Sequence, residues 1–149
     1  MILKILIGLA AAFALFWTIK TKKTFPAIIT LGMIAGIVLA LSPSKTIQIP
    51  GFYVYMGFAA LAFFYGLIVK EKKTGTRITI CLMSALIFAY WLWVLNHWHG
   101  ITVLAPIFVL LVALVSIISK AKLKNELGFL TILAVDAIAI IIENWLKAN

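Results

Sequence analysis

The chain has 149 residues, of which 65% are hydrophobic and 11% charged, against roughly 25% charged in an ordinary soluble domain. That composition excludes a soluble globular protein, and it excludes disorder, which requires low hydrophobicity. With one cysteine, Cys81, a disulfide-stapled secreted scaffold is excluded as well. An all-α, polytopic membrane protein remains.

A bilayer core about 30 Å thick needs about 20 helical residues per crossing, and the sparse charges mark where crossings end. The first helix is expected over 2–19, closed by Lys20, Lys22 and Lys23. Lys4 ahead of Ala10, Ala11, Ala12 and Ala14 has the outline of a signal peptide, but three lysines directly after the apolar run argue for an uncleaved helix. The second helix is expected over 25–42, capped by Thr24, with Pro26 in its first turn and Ser42 and Pro43 ending it. Lys45 interrupts the apolar pattern, and Pro50 with Gly51 is expected to turn the chain into a third helix over 52–69. A basic loop at 70–77 follows. The uncharged stretch 78–119 is 42 residues, twice a span, so it must turn once, at the polar cluster 96–100. That gives helices over 78–95 and 101–119, the latter bent by Pro106 about one turn inside. After a loop at 120–126, which holds Glu126, the sixth helix runs over 127–146.

The expected architecture is thus a single transmembrane domain, 1–149, of six helices in three hairpins. Ten of the 13 Lys and Arg residues lie in the first, third and fifth loops; only Lys4, Lys45 and Lys147 lie on the other side. By the positive-inside rule both termini face away from the cytoplasm, in a multi-pass protein of the cell's inner or plasma membrane. The net charge of +9 then serves topology and contact with anionic lipid headgroups at the cytoplasmic face, not nucleic acid. Lys20, Lys70 and Lys120 recur at a spacing of 50, which two spans and two loops explain without a repeat. Tyr53, Tyr55, Tyr90, Trp91, Trp93, Trp98 and Trp145 fall on or near the outer side, and Trp17 and Tyr65 on the inner, as an interfacial belt would. A lined outer vestibule for an apolar or cationic solute is the second reading of that rim.

Residues able to carry chemistry are few. Asp136, the only aspartate, falls near the middle of the sixth helix, about 14 Å from either end. A carboxylate there costs about 2.5 to 3.5 kcal/mol on insertion scales and needs a partner, a water-filled cavity or a proton. It shares a face with Phe129, Ile132, Leu133, Ile140 and Glu143, which is expected to point into the bundle. Glu143 has Lys147 at i+4 as an ion-pair partner. Three roles compete for Asp136: a structural donor bonded to a carbonyl, Ser84, Tyr90 or Thr131; a site for a proton, sodium ion or cationic substrate; and a contact to a basic residue of another subunit.

His97 and His99 form a secondary outer-face candidate, as ligands or a proton-responsive gate, but two ligands do not make a zinc site. No metal and no cofactor is expected. Gly32, Gly36 and Ala40 share one face of the second helix, a spacing that lets helices approach closely.

No enzyme is expected, since the paired cysteines, paired aspartates and His-Glu-x-x-His of known membrane chemistries are lacking. The leading expectation is transport of a proton, ion or small solute through the Asp136 carboxylate. The alternative is a non-catalytic subunit or assembly factor of a larger membrane complex. A second copy or another membrane subunit is the expected protein partner.

Overall fold

The computed structural model describes residues 2–100 and 103–149. Among these it contains six α-helices and no strand: α1 (Ile2–Thr21), α2 (Thr24–Ala40), α3 (Lys45–Ile68), α4 (Thr74–Leu95), α5 (Leu104–Ile118) and α6 (Leu127–Ala148). Four are long and apolar enough to cross a membrane: α1 from Leu3, α3, α4 and α6. At 17 and 15 residues, α2 and α5 extend about 26 and 23 Å, short of a core of about 30 Å. The expected lengths of these two helices are corrected accordingly. The expected start of the fifth, at 101, lies outside the described residues.

Three local expectations change, each for a reason of backbone chemistry. Thr24 does not cap α2; it is the first helical residue, and Lys23 holds the extended N-cap position without a side-chain bond. Pro50 and Gly51 lie inside α3, which begins at Lys45 after an extended Ser44. Gly51 serves close packing: a Cβ there would overlap Ala40 N and stand 2.6 Å from Leu39 C, so glycine lets the end of α2 cross the start of α3. Pro106 is the third residue of α5, in the first turn where a missing N–H costs little, and no bend follows from it.

Consecutive helices pack in a ring, α1 on α2 through to α5 on α6, and α6 closes it against α1 while also touching α2 and α4. Half of the apolar window of α6 is buried against 11% of that of α1, so α6 is the core helix. Phe129, Ile132, Leu133 and Ile140, all at most 4% exposed, meet Ile29, Met33, Ile80, Met83 and Ile87. The stripe expected to face inward does so at these four residues and at Asp136, whereas Glu143, expected on the same face, is exposed. Across α4 and α5, the Thr79 and Ser116 hydroxyls lie 2.6 Å apart, and Ser116 also donates to Val112 O.

The basic loops gather at one end of the bundle. Trp17 Nε1 donates to Lys124 O at 2.6 Å, Thr76 Oγ1 donates to Lys122 O at 3.3 Å, and Lys72 pairs with Glu126 at 3.4 Å. Arg77 closes the end of α3, donating to Gly66 O and Leu67 O. The opposite end carries the start of α1 and the end of α6.

Candidate functional site

Gly36 sets the position of the site's first residue. An added Cβ there would stand 2.6 Å from Tyr55 N and 2.8 Å from Tyr55 Cα, so α2 and α3 meet backbone to backbone at this level. Gly32, a turn away, makes room for the ring of Phe58. The small-residue face expected on α2 is therefore a packing face within the bundle, and it fixes Tyr55.

Tyr55, 4% exposed, reaches across to α6, although α3 and α6 are not neighbours in the ring. Its hydroxyl donates to Asp136 Oδ2 at 2.9 Å. From α4, Trp91 Nε1 donates to the same oxygen, also at 2.9 Å. Asp136 is 7% exposed. Neither donor is among the partners expected for it: Ser84 Oγ is buried without a partner, Thr131 Oγ1 donates to Leu127 O, and Tyr90 stands half-buried nearby. The expected aromatic belt is corrected at two places, since Tyr55 and Trp91 belong to the core network, whereas Tyr53, Trp98 and Trp145 stay exposed.

Both donors engage Oδ2. Among the described residues Oδ1 has no hydrogen-bond partner, and it is not sealed from the surface as Ser84 Oγ and Glu126 Oε2 are. With Oδ1 free, Asp136 lines a cavity of about 520 Å³ together with Tyr55 and Trp91, and the lining extends to Lys4, Glu143 and Lys147 near the chain ends. Phe52 packs on Trp91 with ring centroids 4.6 Å apart, and Tyr90 meets Trp91 edge-on at 5.4 Å. Gln48 and Asn144 add two amides to the lining. Glu143 and Lys147 pair at 2.7 Å at the rim, as their spacing predicts.

A second carboxylate is buried at the other end. Glu126, read from sequence as a loop residue, is 0% exposed and stands at the N-terminal edge of α6. Tyr65 Oη donates to its Oε1 at 2.9 Å, and Lys72 Nζ lies 3.4 Å from the same oxygen. Burial is possible because a cation and a phenol share the charge. Tyr55 and Tyr65 stand ten residues apart on α3, as do Glu126 and Asp136 at and within α6, so two antiparallel segments place two phenol–carboxylate pairs about 15 Å apart. That matched spacing is the sequence signal for both pairs.

His97 and His99 are exposed in the turn after α4 and do not line the cavity. Among the described residues, no three His, Cys, Asp or Glu side chains come together as metal ligands. The chain matches no family model, no curated protein and no solved structure.

Proposed function

We propose that this chain is a small integral membrane protein of six spans that moves a proton, ion or small solute, with the Asp136 carboxyl as its intramembrane site. In this reading the basic loops face the cytoplasm and meet anionic lipid, both termini face outward, and the host is the cell's inner or plasma membrane. The observation that carries it is the cavity reaching Asp136 Oδ1 from the end of the bundle that holds the termini. A buried acid kept only for structure gains nothing from an opening beside its free oxygen, whereas a carrier needs one. The short α2 and α5 complete the ring beside four full-length helices.

The test is electrical. In vesicles under an imposed potential, the purified chain is expected to carry proton, sodium or organic-amine current that Asp136→Asn abolishes while the variant still purifies as a folded species. Equal currents from the two chains overturn the proposal.

A further inference from the structure

Resting on that reading, we infer that the outer cavity takes a small zwitterion, with its ammonium group on Asp136 and its anionic group at Lys4. Three features of the cavity converge on this chemistry.

The floor is anionic and has an open valence. Asp136 Oδ1 faces the cavity, and among the described residues no cation pairs with this carboxylate. An ammonium N–H supplies both the missing hydrogen bond and the missing charge, and charge-assisted bonds of this kind are the strong ones. A bare metal ion is poorly served, because it wants several oxygens around it, while the two groups that bond Asp136, the Tyr55 hydroxyl and the Trp91 indole, turn hydrogens toward the carboxylate.

The rim is cationic. Glu143 already holds Lys147 at 2.7 Å, whereas Lys4 has no carboxylate in ion-pair reach among the described residues. The register between α1 and α6 fixes its height. A Cβ on Gly128 would meet Ala14 O and Thr18 Oγ1 at 3.3 and 3.1 Å, and Trp17 bonds Lys124. The two helices therefore run in opposite directions, with Gly8 at the level of Asp136. Lys4 stands one turn further out, about 6 Å along the axis. A ligand carrying only a cation would meet an unpaired lysine on its way in; a zwitterion matches both ends.

The walls suit a short carbon chain. Phe52, Trp91 and Tyr90 line one side with aromatic surface, which also favours an ammonium group. The volume, about 520 Å³, falls in the range of small-molecule sites.

A matched series of probes tests the assignment: aminohexanoate, hexylamine and hexanoate share a chain and differ only in which charges they carry. Binding is measured by calorimetry on the purified full chain in detergent. Aminohexanoate is expected to bind about tenfold more tightly than hexylamine, and hexanoate not at all, as one added charge-assisted contact implies. Lys4→Gln, at the exposed rim, should erase the advantage of aminohexanoate over hexylamine, and hexylamine, relieved of a like charge, should bind at least as tightly as before. Hexanoate binding as tightly as aminohexanoate, or an advantage that survives Lys4→Gln, overturns the inference. The same chemistry occurs in the phosphatidylethanolamine headgroup; a short-chain form of that lipid that displaces aminohexanoate assigns the site to a headgroup, and one that does not assigns it to a free solute, and both support the zwitterion. If no probe binds while current dependent on Asp136 persists, the ligand class is wrong and the transport reading stands. If that current is also absent, both fall.

Discussion

Tyr55 Oη donates to Asp136 Oδ2 at 2.9 Å, joining two helices whose backbones do not approach each other. The bond joins positions 81 residues apart in sequence, and Trp91 seconds it from a third helix at the same distance. Two donors on one oxygen orient the carboxyl so that the other oxygen looks into the cavity. Bonds to a charged acceptor are worth about 1.5 to 3 kcal/mol, so Tyr55→Phe should destabilise the chain by about 2 kcal/mol in denaturant titration. Trp91→Phe should cost a similar amount. Because the two donors share one acceptor, the double variant should depart from the sum of the singles.

Gly36→Ala should act on the same acid without touching it. Its new methyl would press on the Tyr55 backbone at 2.6 Å, and overpacking of this kind costs about 1 to 3 kcal/mol. The expected outcome is a lower midpoint of unfolding together with weaker current. Gly57→Ala is the control: nothing lies within 4 Å of a Cβ there, and replacing a helical glycine should stabilise by about 0.4 to 1 kcal/mol.

Glu126 and Lys72 should prove energetically coupled. Removing one partner of a buried ion pair strands the other, at a cost of about 3 kcal/mol, so Glu126→Ala should be severely destabilising. Lys72, 21% exposed in its side chain, can turn toward water when Glu126 is gone, so Lys72→Ala added to Glu126→Ala should cost little more. A double-mutant cycle read by thermal unfolding measures this; strict additivity would show the pair to be idle.

His97 adopts a left-handed backbone, φ 53°, at the position after a helix end where glycine is favoured. His97→Gly should raise stability by about 1 kcal/mol and leave the vesicle current unchanged, since the side chain is exposed outside the cavity. Loss of current would restore this turn as a gate.

The helices were legible because scarce charges punctuate long apolar runs, and the inward face of α6 was legible from its spacing. Glu143 with Lys147 and Gly32 with Gly36 were legible too, since each is a relation along one helix. What joins the helices was not. Tyr55 and Trp91 have the amphipathic side chains that also serve interfacial belts, so composition alone placed them at the rim. Glu126 was hidden among lysines, and its burial depends on Tyr65, 61 residues away. Pro50 and Gly51 carry the signature of a turn, yet both lie inside α3, where Gly51 serves the tight crossing with α2.

The most direct test is whether a water-soluble cation reaches position 136 from one side. In a Cys81→Ser background, Asp136→Cys in sealed right-side-out vesicles is treated with a membrane-impermeant trimethylammonium thiol reagent. The account predicts rapid modification from outside, and slower modification when the reagent is confined within. A cysteine at 136 that resists modification from outside, while a control cysteine at the exposed Trp145 reacts, would contradict it.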